Sequence, residues 1–93
     1  MATEKIDYIV IDTREPGEFA MSHVDGAINI PVSEFATGEI PEKLKNTPKD
    51  APILLYCFTG QRSNTCSMIL RSHGFTNLTN GINEGRTKQQ LSR

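Results

Sequence analysis

The stretch CFTGQRSN, residues 57–64, places a thiol, a glycine, an arginine and a serine directly after the apolar run PILLY. A cysteine there can fill the core, bind a metal, form a disulfide or act as a nucleophile. If Cys57 ends a strand and a helix begins near Arg62, the residues between them form a tight loop. Backbone N–H groups of that loop then face one point. The loop residues are Phe58, Thr59, Gly60 and Gln61.

Such a loop is an anion-binding nest, and the helix N-terminus behind it adds about half a positive charge. A thiol in that field has a lowered pKa and is more often the nucleophilic thiolate. Gly60 permits a positive φ, Arg62 either buttresses the loop or holds an anionic substrate, and Ser63 is placed to cap the helix. The local sequence leaves core filling by Cys57 open, but the glycine and arginine favour the nucleophile.

The other thiol and the histidines limit the alternatives. Two cysteines are too few for a disulfide framework, and neither His23 nor His73 lies at a metal-binding spacing from a cysteine, so no metal site is predicted. Cys66 falls on the apolar stripe of the following helix, which favours core packing. The alternative for Cys66 is a resolving thiol for Cys57.

Apolar runs and chain breakers predict short strands that alternate with short helices. The predicted strands are residues 6–12, 27–30, 52–56 and 75–79, with turns at 25–26 and 80–81 and with 52–56 central. The predicted helices begin at or near Pro16, Ser33 (as N-cap), Pro41 and Arg62, and the tail 83–93 is a short helix anchored by Leu91. This alternation predicts an α/β fold with a mainly parallel sheet, whose usual site lies beyond the carboxyl ends of the strands. Two polar stretches, 12–15 and 57–63, fall there.

Four further residues near these stretches have two interpretations each. Asp12 and Arg14 form either a solvent-facing ion pair or a brace beneath the neighbouring loop. His23 is either a general base or a structural hydrogen-bonding residue. The structural role is favoured because no acidic residue lies at a spacing that would make it a partner of His23. Tyr56 either lines the site or packs in the core; because it alternates with Cys57 along the strand, we expect it to pack in the core.

Bulk composition excludes several classes of function. The chain has 93 residues, 37% of them hydrophobic and 23% charged, with a formal net charge of −1, as in one ordinary globular domain. This charge disfavours nucleic acid and membrane surfaces as main partners. The start MATEKIDYIV lacks the pattern of a signal peptide. We therefore expect a cytoplasmic protein, or a periplasmic one if a signal peptide was removed.

Two long stretches carry a resemblance to a known family. IDTREPGEFAMSHVDGAINIP (11–31) resembles a signature in which a strand ends in D-x-R and is followed by an E-[FY] helix and H-[IV]-x-G-A-x-N-I-P. ILLYCFTGQRSNTCSMILRSHGFTNL (53–78) resembles an active-site signature with C-x-x-G-x-R-S between strand and helix, then G-[FY] and a strand. The chain thus resembles the single-domain rhodanese (sulfurtransferase) family, and in particular its small phage-shock-type members.

The resemblance implies that residues 1–93 form a single rhodanese-like domain with an approximately five-stranded, mostly parallel sheet and helices on both faces. It implies a sulfurtransferase in which Cys57 takes a sulfane sulfur as a persulfide and passes it to cyanide or a thiol. The loop from Phe58 to Ser63 would cradle that sulfur, with Asp12, Arg14 and His23 in supporting positions. No cofactor is expected. The expected partners are a small sulfur donor (thiosulfate or a persulfide) and a thiol or cyanide acceptor, and a partner protein is a further candidate.

Loop length separates this activity from related ones. Tyrosine-phosphatase-like and arsenate-reducing relatives of the fold use C-x5-R, whereas four residues lie between Cys57 and Arg62, a ring better matched to one sulfur atom than to a tetrahedral oxyanion. The alternatives are a non-enzymatic rhodanese-like module that binds a partner or senses redox state and, against the loop length, a phosphatase or arsenate reductase.

The chain also departs from the family pattern at three places. Ser22 stands where the family often has glycine, and a single Gly81 stands where it commonly has L-x-G-G followed by an aromatic residue. The loop interior has no basic residue, which predicts weak use of thiosulfate, or else a persulfide or protein-bound donor.

Overall fold

The computed structural model describes residues 6–92, and within this range it contains a single four-stranded parallel sheet. The strands are β1 (Ile9–Asp12), β2 (Ile28–Asn29), β3 (Ile53–Tyr56) and β4 (Leu78–Ile82), in the order β2-β1-β3-β4. The helices are α1 (Pro16–Met21), α2 (Val32–Phe35), α3 (Gln61–Ser72) and α4 (Glu84–Leu91), and a short 3₁₀ helix (Glu42–Leu44) precedes β3. The predicted α/β class and parallel sheet are confirmed.

The central strand is β3, as predicted. It pairs with β1 on one side and β4 on the other, and all four of its residues are buried. A strand that is covered on both faces needs apolar side chains in both directions, which explains the uninterrupted ILLY sequence.

Helices cover both faces of the sheet, because successive strand residues point to opposite sides. One core cluster joins Ile11, Ile53 and Leu55 to side chains of α2, α3 and the segment before β4, and its helix residues are Phe35, Cys66 and Leu70. The other cluster contains Val10, Leu54 and Tyr56, with Phe19 of α1 and Leu91 of α4 packed against it.

The strand boundaries correct the sequence-based prediction in three respects. Residues 6–92 supply four strands instead of five, and β1 begins at Ile9, since Ile6 is 58% exposed and outside the sheet. The last strand is β4 at Leu78–Ile82 and not 75–79; Phe75 is instead a buried core residue. Sheet pairing, which local sequence does not encode, sets these limits.

The predicted turn at 80–81 lies inside β4. Leu55 aligns with Asn80 and Tyr56 with Ile82, so Gly81 is an extra residue in a bulge. A Cβ at Gly81 would lie 2.5 Å from Leu54 Cδ2 and would also meet Thr87 Oγ1, so this close approach requires glycine. The Asn-Gly pair therefore serves a bulge where propensity predicts a hairpin turn.

Two predicted helix caps are wrong. Pro31, in extended conformation, precedes α2, and Ser33 is an exposed residue within that helix. Gly60 precedes α3, so Ser63 lies in the first turn of the helix and is not its cap. In both cases the residue that turns the chain, proline or left-handed glycine, sets the helix start.

The predicted tail helix is present as α4. Asn83 is its N-cap, and the Asn83 side chain accepts a hydrogen bond from the Arg86 backbone N–H at 2.8 Å. Arg93, the last residue of the prediction, lies outside the described residues, as do residues 1–5. Within the described range, no helix has the length and apolar character needed to cross a membrane.

Candidate active site

Cys57 lies at the carboxyl end of β3, and its thiol faces the inside of the following loop. The Cys57 backbone N–H donates to the Ile82 carbonyl at 3.1 Å, which ties this end of β3 to β4. The Gly60 backbone N–H donates to Cys57 Sγ at 3.1 Å, and Ser63 Oγ lies 3.5 Å from the same sulfur. Since Cys57 is 1% exposed, the loop encloses the thiol almost completely.

Gly60 makes the turn that returns the loop to the sulfur. Its φ of 92° is in the left-handed region, as the sequence predicted, and it directly precedes α3. A Cβ at this position would lie 3.4 Å from Ile82 Cγ2, and the backbone would be strained with any side chain. The loop and the N-terminus of α3 thus direct N–H groups at the Cys57 sulfur, as a nest does.

The environment of the Cys57 thiol lowers its pKa. Burial acts in the opposite direction and is the largest single influence, but hydrogen bonds outweigh it. They come from the Ser63 hydroxyl and from the backbone N–H groups of Ser63, Gly60 and Thr59. At Cys66, burial in the apolar core raises the pKa to about 12, and negative charge on Cys57 adds to that effect. The two thiols are therefore separated in acidity, and Cys66 occupies the core position predicted for it.

This separation predicts that one thiol titrates at a lower pH than an ordinary cysteine and the other at a higher pH. We expect the ultraviolet absorbance of thiolate to rise in a single step, with a midpoint below the ordinary thiol value of about 8.5. Cys57→Ala should remove this step, whereas Cys66→Ala should leave it in place. A step that survives in Cys57→Ala would contradict the assignment.

Arg62 is held by α1 and not by the loop backbone. Its guanidinium forms an ion pair with Glu18, with Nη1 3.0 Å from Glu18 Oε1, and both side chains are about one-third exposed. Phe58 lies against two guanidinium groups, with its ring centroid 5.6 Å from Arg62 Cζ and 5.3 Å from Arg14 Cζ. The Phe58 side chain remains largely exposed and forms the rim of the loop.

Asp12 and Arg14 form a buried ion pair, so the interpretation of a solvent-facing pair is wrong. Arg14 Nη2 lies 2.7 Å from Asp12 Oδ2, with side-chain exposures of 4% and 0%. Arg14 Nε and its backbone N–H also donate to the Asp12 carboxylate, and Arg14 Nη2 donates to the Ser22 carbonyl at 2.6 Å. Because Arg14 also contacts the Phe58 ring, the pair lies directly beneath the loop rim.

The remaining predicted site residues are spread around this centre. Tyr56 is buried, and its hydroxyl accepts from the Val24 backbone N–H at 3.0 Å. His23 is exposed, and its ring stacks on Phe19 at 3.7 Å with Nδ1 2.7 Å from the Phe19 carbonyl oxygen. These contacts hold His23 against α1. Thr59 and Gln61 are exposed on the outer side of the loop.

Sequence comparison assigns the chain to a known family. The profile of the Rhodanese-like domain matches residues 1–88. The chain belongs to the rhodanese-like domain family. The uncharacterized protein YqhL of Bacillus subtilis is 37% identical to it over 71 residues, 76% of this chain and 52% of that protein. Thiosulfate sulfurtransferase PspE of Escherichia coli is 33% identical over 72 residues, 75% of this chain and 64% of that protein.

A solved structure supports the same conclusion. A rhodanese with anions from E. coli superimposes with a TM-score of 0.73 at 30% identity, covering 85% of this chain and 89% of that one. The family resemblance predicted from residues 11–31 and 53–78 is therefore confirmed. This rhodanese domain spans about half to two-thirds of the length of the two curated relatives.

Sequence reasoning missed two residues that contact the loop of this rhodanese domain. Asn80 donates from Nδ2 to the Gly60 carbonyl at 3.0 Å, and its Oδ1 accepts from Ser63 Oγ at 2.7 Å. Glu18 holds Arg62, as described above. The available signal for Asn80 was that it replaces the first of the two glycines that are common in the family signature.

Proposed function

We propose that this rhodanese domain is a sulfurtransferase that carries sulfur on Cys57. The observation that carries the proposal is the enclosure of the thiol by N–H donors: Gly60 N–H lies 3.1 Å from Sγ, and the surrounding hydrogen bonds lower the thiol pKa. A thiolate is the form that attacks sulfur, and a persulfide bears the same negative charge one atom further out. One set of amides thus serves both states of the cycle.

The transfer balances without an external oxidant or reductant. The Cys57 thiolate attacks the sulfane sulfur of the donor, a new S–S bond forms, and the donor's own bond to that sulfur breaks. The leaving group departs with the electron pair, and Cys57 becomes a persulfide. An acceptor, cyanide or a thiolate, then attacks the outer sulfur and releases the Cys57 thiolate.

The charges around the loop favour a weakly anionic donor over thiosulfate. Both guanidinium groups next to Phe58 are already paired with carboxylates: Arg62 with Glu18, and Arg14 with Asp12. A further carboxylate, Glu84, has its Oε1 3.9 Å from Arg14 Nη2. A dianion approaching the loop therefore meets neutralised cations, whereas an alkyl persulfide can also contact the exposed Phe58 ring.

A test of the activity measures sulfur on the protein and its release. We expect incubation with an alkyl persulfide to add one sulfur atom to the intact mass of the chain, and later addition of cyanide to yield thiocyanate. Thiosulfate should load the chain more slowly than the persulfide. A folded chain that gains no sulfur from any donor would refute the proposal and favour the binding or redox-sensing module instead.

Removing the charge of Glu18 should improve the use of thiosulfate. Glu18→Gln leaves the Arg62 charge without its carboxylate partner, which at this partly exposed site is worth about 1 kcal/mol of attraction, or about fivefold in loading rate by thiosulfate. The gain should shrink as salt is added, since exposed charges are screened.

Two comparisons make this prediction specific. Glu34→Gln removes the same charge from an exposed residue of α2 and should leave thiosulfate loading unchanged. Loading by the persulfide should change little in either variant. An equal gain with both donors would show that Glu18 restrains the loop and does not select the donor.

A further inference from the structure

The Asn80 side chain bonds to three residues, and each of these residues also contacts Cys57. Its Nδ2 donates to the Gly60 carbonyl at 3.0 Å, and its Oδ1 accepts from Ser63 Oγ at 2.7 Å and from the Ile82 backbone N–H at 3.0 Å. Gly60 and Ser63 contact Cys57 Sγ, and the Ile82 carbonyl accepts from the Cys57 backbone N–H. One amide therefore joins β4 to both ends of the loop.

Ile82 provides a second sign of a built arrangement. Its φ of 73° is positive, and it is the only non-glycine residue with positive φ in the described part of the chain. A β-branched residue adopts this conformation only when its surroundings hold it there. The hydrogen bonds from Ile82 N–H to Asn80 and from Cys57 N–H to the Ile82 carbonyl provide that constraint.

Ser63 connects Asn80 to the chemistry of the sulfur. A hydroxyl has one proton, and Ser63 Oγ has two acceptors within reach: Asn80 Oδ1 at 2.7 Å and Cys57 Sγ at 3.5 Å. The shorter contact assigns the proton to Asn80 while Cys57 is a thiol, so that the S–H can donate to Oγ. When Cys57 is a thiolate, the hydroxyl proton can turn to sulfur, and Asn80 then keeps its bonds to Gly60 and Ile82.

We propose that Asn80 is a positioning residue that holds Gly60, Ser63 and Ile82 in the arrangement that stabilises the Cys57 thiolate and its persulfide. The proposal deepens the sulfurtransferase function and rests on it for the persulfide. The thiolate can be measured independently of that function.

The main test is Asn80→Asp, which has almost the same shape. It replaces the donor to the Gly60 carbonyl with an acceptor and adds a negative charge that retains the Ser63 proton and disfavours a nearby thiolate. We expect the thiol pKa of Cys57 to rise by about one unit, which lowers the ratio of thiolate to thiol about tenfold at any given pH. Sulfur loading should slow accordingly and recover toward the wild-type rate as pH is raised.

The titration below the ordinary thiol pKa belongs to Cys57. The ionisable groups that act on its charge are Arg62 and Cys66, both on α3. Arg62 has a raised pKa, and that of Cys66 is about 12, so neither changes charge in this range. Arg14, across the Phe58 ring, also stays charged.

Matched variants give each outcome a meaning. Asn77→Asp makes the same change at an exposed residue just before β4 and should match the wild type. Asn80→Ser, which is too short to reach Gly60 and Ser63 together, should load sulfur slowly at every pH and serves as the test if Asn80→Asp does not fold. Thiol titration and loading in folded Asn80→Asp that match Asn77→Asp, or loading in Asn80→Ser that matches the wild type, would overturn the positioning role. If the wild type loads no sulfur but Asn80→Asp still raises the thiol pKa, the positioning of the thiolate is supported and the proposed function fails.

Discussion

Replacing Cys57 with alanine will abolish sulfur loading, because no other thiol of the chain is placed to accept sulfur. Cys66, the second of the two cysteines, is fully buried in the apolar core, and its pKa is about 12. The loss should be complete with thiosulfate and with persulfide donors. The intact mass should show no gain of sulfur, and no thiocyanate should form above the reaction without protein.

Cys66→Ala is the matched control. It removes the other thiol, which lies on α3, and leaves the hydrogen bonds around Cys57 intact. Sulfur loading should therefore persist even if the core is somewhat weakened. Loading retained in Cys57→Ala would transfer the role to another residue. Loading lost in a folded Cys66→Ala would revive the hypothesis that Cys66 resolves a sulfur species on Cys57.

Sequence reasoning located the thiol loop because its determinants are local. The apolar run before Cys57 predicts a buried strand, Gly60 predicts a left-handed turn, and the stripe containing Cys66 and Leu70 predicts a helix. Each signal lies within about one helical turn or one strand of the residue it positions. The structure agrees at each of these points, including the φ of 92° at Gly60.

Residues that contact the loop from elsewhere in the chain were not predictable in this way. Asn80 is 20 residues from Gly60, and Glu18 is 44 residues from Arg62. Local propensity assigned Asn80 to a turn, but pairing of β4 with β3 and the bulge at Gly81 bring its side chain within hydrogen-bonding distance of the thiol loop. Side-chain contacts over such distances depend on sheet order and register, which the sequence of one segment does not determine.

Burial decided the interpretation of Asp12 and Arg14, which the sequence left open between an exposed pair and a brace. Asp12 is the last residue of β1 and is buried. Asn29 Nδ2 donates to the backbone carbonyls of both Asp12 and Arg14. The charges of this pair, which lies under Phe58, therefore support the fold as well as the electrostatic environment of the loop.

Replacing Asp12 with asparagine will strongly destabilise the domain. The substitution keeps the shape of the side chain but leaves the buried Arg14 guanidinium with one carboxylate nearby, Glu84 at 3.9 Å and partly exposed. Breaking a buried ion pair by removing one partner costs about 3–5 kcal/mol, because a charge stays buried without compensation. The free energy of unfolding, measured in urea, should fall by that amount.

Two further variants identify the cause of this loss. Glu42→Gln breaks an exposed pair with Lys45, in which the glutamate and lysine side chains are 84% and 53% exposed, and should cost about 0–1 kcal/mol. The double variant Asp12→Asn with Arg14→Gln removes both buried charges and should be more stable than Asp12→Asn alone. If Asp12→Asn costs no more than Glu42→Gln, the Asp12–Arg14 pair contributes little to the fold. If the double variant is less stable than Asp12→Asn, Arg14 supports the loop mainly through its contacts with Phe58 and Ser22, and the pairing of its charge is secondary.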